Sequence, residues 1–151
     1  MKVLGLSGSL RDASYNTTLL RAAADLLPHD VEFELWDGLK AIPPYDEDDD
    51  VEPAPTAVAA LRAAIPGADA VLIATPEYNW SIPDTLKNAV DWVSRVDDQP
   101  FEEKPVVIYS ASGGMLGGAR MQYHLRQSLM SIGAQLFVRP LFRTPPVSQG
   151  N

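Results

Sequence analysis

Three short apolar runs, Val3 to Leu6, Ala70 to Ala74 and Pro105 to Tyr109, constrain the fold of this chain more than any other feature. Runs of that length without a charged residue suit strands buried on both faces, as in parallel sheets covered by helices. The segments between them carry helical spacing: Leu20, Ala23, Ala24 and Leu27 up to Pro28, then Ala57 to Ile65, then Leu86, Ala89, Val90 and Val93. Met121, Leu125, Leu129 and Ile132 mark a fourth helix, and Gln135 to Val138 a fifth strand. Val31 to Trp36 alternates apolar and acidic residues, which places it at a sheet edge with one solvated face. A polar, proline-rich loop spans Asp37 to Thr56. Repeated βα alternation implies right-handed crossovers and a doubly wound, five-stranded parallel α/β sheet of order 2-1-3-4-5. With 151 residues, 46% of them hydrophobic, residues 1–151 are expected to form a single domain. The tail "RPLFRTPPVSQGN" is too short and too rich in proline for the final covering helix. That helix is therefore expected to be absent from this sequence, or its face to be covered by a partner.

Charge narrows the function. A formal net charge of -8 with only 12 scattered lysines and arginines argues against nucleic-acid and anionic-membrane partners, which draw on clustered cations. The chain has no cysteine, which removes disulfides, thiolate metal sites and thiol nucleophiles and fits a reducing, cytoplasmic setting. The first apolar run is far shorter than a secretory or membrane-spanning segment.

In open α/β sheets ligands bind beyond the carboxyl ends of the strands at the switch point, which selects residues 7–18, 75–83 and 110–120. In the first, Ser7, Ser9, Ser14, Asn16, Thr17 and Thr18 offer short donors at a helix start, and Arg11 offers a planar fork suited to phosphate. The same residues also read as ordinary helix caps and a solvated arginine. Neither G-x-x-x-x-G-K-[ST] nor G-x-G-x-x-G occurs; Gly113 and Gly118 have the first spacing, but Ala119 and Arg120 follow. A hydroxyl-rich first βα turn is instead the flavodoxin manner of holding a mononucleotide. In the second segment, "TPEYNWSIP", Pro76 and Pro83 restrict the backbone, and Tyr78 and Trp80 either stack on a planar ring or simply pack. The third, "SASGGMLGGAR", has four glycines that let backbone approach a ligand or leave a mobile linker.

"GSLRDASYN", "TPEYNWSIPDTLKNAVDW" and "SASGGMLGG" together resemble, in order and spacing, the NADPH-dependent FMN reductase family of flavodoxin-like proteins, over Met1 to about Val138. The resemblance implies a flavodoxin-like fold and an enzyme that uses bound FMN and NADPH or NADH to reduce a small acceptor such as a quinone, free flavin or azo compound. It implies that Ser9, Arg11, Ser14, Asn16 and Thr17 hold the FMN phosphate. Pro76, Glu77, Tyr78, Asn79 and Trp80 match the isoalloxazine loop, and Ser112, Gly113 and Gly114 the loop on the pyrimidine side. No side chain is assigned as catalytic acid or base, and backbone N–H groups near 78–80 and 112–115 are expected to steady charge on the ring. The helix from Pro83 to Arg95 resembles the family's dimer-forming helix, which would account for Trp92; a homodimer is implied, with a homotetramer left open. Many members have Gly where Trp80 stands, so the indole is placed to line or fill the pocket. The alternative reading is an FMN-binding electron carrier without NAD(P)H turnover of its own.

Other signals fail on their own terms. Asp46, Asp48 and Asp50 begin like a calcium loop, but Val51 and Ala57 stand where Gly and Glu belong, leaving a solvated acidic loop. His29 and His124 are isolated, so neither a metal site nor a Ser-His-Asp set is expected.

Overall fold

A computed structural model describes residues 1–138. The strands are β1 (Lys2–Ser7), β2 (Glu32–Trp36), β3 (Ala70–Ala74), β4 (Pro105–Tyr109) and β5 (Gln135–Leu136); the helices are α1 (Tyr15–Ala24), α2 (Thr56–Ala64), α3 (Asp84–Val93) and α4 (Ala119–Met130). All strand pairs are parallel, and the order is β2-β1-β3-β4-β5, as the alternation demanded. The amphipathic strand lies at one edge and the continuous apolar strands lie inside. β5 stops at Leu136, two residues short of the run expected from sequence. The tail for which a missing final helix was expected lies outside the described residues.

Period-two alternation divides the strands between two cores. Leu4, Leu6, Val71, Ile73, Val106 and Ile108 pack under α2, α3 and α4, whereas Val3, Leu72 and Ala74 meet Leu20 of α1. Among the described residues, α1 alone supplies a helix to the second face. No described helix is long and apolar enough to cross a membrane.

The segment 37–56 is more ordered than its composition suggested, with 3-10 turns at Gly38–Ala41 and Glu47–Asp49. It forms a strap tied to α3. Trp92 is fully buried, its Nε1 donates to the Pro43 carbonyl at 2.8 Å, and its ring meets Tyr45 edge-on with centroids 5.0 Å apart. Asn88 reinforces the strap by donating to the same carbonyl at 2.7 Å and accepting from the Tyr45 N–H at 2.7 Å. Arg62 of α2 donates to the Trp92 carbonyl at 2.6 Å through Nη2 and forms a two-oxygen pair with Asp50 at 3.0 and 3.2 Å. Two expectations are corrected here. Asp50 is ion-paired and mostly covered instead of solvated, and Trp92 is satisfied within its own chain, so it needs no partner subunit to explain it.

Trp92→Ala is expected to cost about 3–5 kcal/mol, because it removes the largest buried side chain and the strap's anchor together. Urea unfolding midpoints measure this. Trp92→Phe should recover most of the loss, since Asn88 still donates to Pro43.

Candidate functional site

The cleft opens at the carboxyl ends of β1, β3 and β4, where the fold leaves backbone donors without ladder partners. It encloses about 240 Å³ and is lined by Ser9, Arg11, Ser14, Tyr15, Asn16, Pro76, Glu77, Tyr78, Ala111, Ser112 and Gly113. All three loops picked from sequence converge on it. A second void, about 10 Å³ among Leu6, Leu39, Ile73 and Phe101, is far too small for a cofactor.

The first wall begins where β1 ends. Gly8 donates its N–H to the Ala74 carbonyl at 2.9 Å, and a Cβ there would lie only 2.1 Å from Thr75 Oγ1. Only glycine lets the two strand ends meet so closely. Ser14 is the N-cap of α1, its hydroxyl accepting from the Thr17 N–H at 3.3 Å. The N–H groups of Tyr15 and Asn16 have no acceptor among the described residues, which leaves the positive end of α1 open to an anion. Arg11 is exposed, and its guanidinium meets only the Ala13 carbonyl at 3.5 Å, with no carboxylate partner among the described residues.

Two residues of this group differ from the simple donor role. Thr17 does not line the cleft: its hydroxyl pairs with Ser7 Oγ at 2.7 Å and braces the loop from behind. Asn16 is 4% exposed and its amide is engaged twice, with Nδ2 donating to the Ala111 carbonyl at 3.2 Å and Oδ1 accepting from the Ala111 N–H at 2.8 Å. It clamps the first loop to the third, 95 residues away.

The second loop carries a tight turn. Tyr78 and Ser81 exchange backbone hydrogen bonds at 3.1 and 2.9 Å, and the two residues between them, Asn79 and Trp80, have φ of 48° and 68°. Positive φ at both central positions is the type I′ pattern, which favours Asn followed by Gly. Asn79 fits that preference. Trp80 does not, and a bulky residue in this region costs roughly 1–2 kcal/mol. Neither residue lines the cleft. Trp80 is instead 66% exposed at the rim, where the Arg120 guanidinium carbon lies 3.9 Å from its ring centroid, so it does not fill the pocket.

Glu77 ties this loop to α4. Its Oε2 accepts from the N–H groups of Arg120 and Met121 at 3.1 and 3.2 Å. The N-cap of α4 is Gly118, with φ of 79° and no side chain to cap the helix, so the distant carboxylate serves instead. A Cβ at Gly118 would lie 2.2 Å from Ser110 Oγ.

On the third wall Ser112 and Gly113 line the cleft, whereas the exposed Gly114 does not, its N–H donating to Ser112 Oγ at 3.0 Å. The Tyr78 and Gly114 N–H groups are thus engaged and not free to face a ring. The N–H groups of Asn79, Trp80, Ser112 and Gly113 have no acceptor among the described residues. Tyr15 and Ala111 line the cleft without having been singled out from sequence; Tyr15 sits one residue past a recognisable cap, but nothing local marked Ala111. Ser81 and His124 meet at 2.9 Å on the exposed surface, a pairing that their separation of 43 residues hid. No group of three or more His, Asp or Glu able to hold a metal occurs among the described residues.

Comparison with known proteins agrees with this architecture. The family model for NADPH-dependent FMN reductase matches residues 1–144. The chain is 49% identical to an NAD(P)H-dependent FMN reductase of Pseudomonas aeruginosa over 140 residues, covering 93% of this chain and 75% of that protein. It is 45% identical to a quinone reductase of Escherichia coli over 143 residues, covering 94% and 76%. The solved flavoenzyme NAD(P)H:(acceptor) oxidoreductase of Paracoccus denitrificans superposes with a TM-score of 0.85 at 35% identity, covering 93% of this chain and 76% of that one. The chain is a member of the NADPH-dependent FMN reductase family, flavin enzymes that take their electrons from NAD(P)H.

Proposed function

We propose that this chain is an NAD(P)H-dependent oxidoreductase that holds FMN in the 240 Å³ cleft and reduces a small acceptor, with quinones as the leading class. The observation that carries the reading is the difference between the loops that line the cleft. The loop after β1 and the open N-terminus of α1 contribute Ser9, Arg11 and Ser14, while the loops after β3 and β4 contribute Pro76, Glu77, Tyr78, Ala111, Ser112 and Gly113, a set with no cation. A phosphate suits the first and a planar ring the second. The relatives named as quinone and FMN reductases support the acceptor class.

FMN, when bound, supplies the hydride-accepting and electron-donating ring. The chain's own residues bind and orient it. Arg11 and the Ser9 and Ser14 hydroxyls hold the phosphate, Pro76 and Tyr78 border the ring, and the Ser112 and Gly113 N–H groups face its polar edge. Asn16, Thr17, Glu77 and Gly114 act behind these contacts by fixing the loops, while Asn79 and Trp80 form the rim. Donor and acceptor visit the same open side in turn, and no side chain is required as acid or base. We further infer one domain over residues 1–151, a cytoplasmic location in keeping with the lack of cysteine, and a homodimer; the family resemblance supports the dimer, and sedimentation equilibrium measures it, a tetramer included.

FMN added to the purified protein should bind at micromolar concentration, and anaerobic NADPH or NADH should bleach its visible band. No binding would overturn the assignment, and binding without bleaching would favour an electron carrier.

Arg11→Ala should weaken FMN about 10- to 100-fold, the value of a charge-assisted phosphate contact, with little effect on riboflavin. Equal losses for both flavins, measured by fluorescence quenching, would remove Arg11 from the phosphate site.

Asn16→Ala leaves the Ala111 N–H and carbonyl unpaired, a penalty of about 1–3 kcal/mol. It should therefore weaken FMN and riboflavin alike, the opposite pattern to Arg11→Ala.

A further inference from the structure

In a chain whose net charge is -8, the guanidinium groups of Arg11, which lines the cleft, and of Arg120, whose backbone N–H is bonded to the cleft-lining Glu77, have no carboxylate partner among the described residues. Arg11 faces the end assigned to the FMN phosphate. Arg120 instead belongs with the second loop, joined to it through Glu77 and Trp80. Its placement is specific. The backbone N–H of Arg120 is held by Glu77 at 3.1 Å, and its guanidinium lies against the Trp80 ring at 3.9 Å. Trp80 in turn is held in a left-handed backbone that disfavours its side chain, and it stands 66% exposed. Burial of the indole does not explain this arrangement. A guanidinium stacked on an indole keeps its in-plane N–H donors and its charge available while losing rotamer freedom, which makes it a pre-organised receptor for an anion on a flat molecule.

We propose that Arg120 and Trp80 form an anion-accepting aromatic shelf at the rim, which recognises planar substrates bearing a negatively charged group. This rests on the FMN-dependent reading of the cleft. The anion could be a phosphate of the nicotinamide donor or an acidic substituent on the acceptor; the shared chemistry is an oxyanion attached near a planar ring. Arg120 selects among substrates by charge and Trp80 positions the guanidinium.

Steady-state kinetics of the FMN-loaded protein tests this with four probes: NADPH, phosphate-free dihydronicotinamide riboside, an uncharged naphthoquinone and a sulfonated naphthoquinone. Arg120→Gln should raise KM about 5- to 20-fold for whichever of NADPH and the sulfonated quinone uses the shelf, the range expected of a partly exposed charge-assisted contact. KM for the riboside and the uncharged quinone should stay within about twofold, since neither carries an anion for the lost contact to hold. A rise for NADPH alone identifies the donor phosphate as the anion, and a rise for the sulfonated quinone alone the acceptor. Arg120→Lys should be intermediate, since it keeps the charge but loses the stacked fork. Trp80→Gly relieves the backbone and should lose the same discrimination. Arg21→Gln, which removes an exposed charge from α1, should leave all four values unchanged. Equal changes for charged and uncharged probes, or none for either anion, would overturn the shelf. Wild-type protein that binds no FMN would overturn the underlying reading instead.

Discussion

The pair of hydrogen bonds between the Asn16 amide and the backbone of Ala111 is the contact on which the site depends. The loops after β1 and β4 leave the sheet on either side of β3, and the clamp joins them directly. Asn16 is buried and Ala111 half-buried, so breaking either bond strands the Asn16 amide largely away from water. One side chain thereby sets the separation of two cleft walls. Glu77 does the same between the second and third loops by capping α4. The cleft is in this sense a three-way junction: α1, the 75–81 turn and the start of α4 are fixed to one another by side-chain-to-backbone contacts, and the lining residues inherit their positions.

These contacts redistribute the roles expected of a flavin site. Glu77, although it lines the cleft, uses one carboxylate oxygen on a helix terminus, which also places its negative charge where the dipole of α4 favours it. Asn16 and Thr17 likewise support the loop after β1, through Ala111 and Ser7. The donors that remain unengaged are those of Arg11, the cap hydroxyls and the N–H groups at the start of α1, and these are the groups proposed to bind. A separate network around Trp92, Pro43, Tyr45 and Arg62 fastens the 37–56 strap over the opposite flank and keeps α3 in place without entering the cleft.

Much of this was legible in the chain. The continuous apolar runs marked the inner strands, the alternation in Val31–Trp36 marked the edge, and together they led to the observed order. The same reasoning found all three loops, because in a parallel sheet the strand ends dictate where ligands go. It placed Ser9, Arg11, Ser14, Tyr78 and Ser112 on the cleft but could not tell Thr17 from them, since a hydroxyl's direction depends on what lies behind it. Trp92, which the family resemblance had linked to a dimer-forming helix, finds its partners in the strap of its own chain, a contact between distant segments that the local sequence does not display.

What the sequence determined by itself was therefore the layer architecture and the address of the site, because hydrophobic period and strand-loop order are local properties. Tertiary structure alone decided which polar groups face the ligand and which hold the loops. Asn16 with Ala111, Glu77 with Arg120, and Arg120 with Trp80 are separated by 40 to 95 residues, and their pairing depends on how the loops leave the sheet. A hydrogen bond made behind the wall removes a donor from the front. That choice is made only when the chain closes on itself.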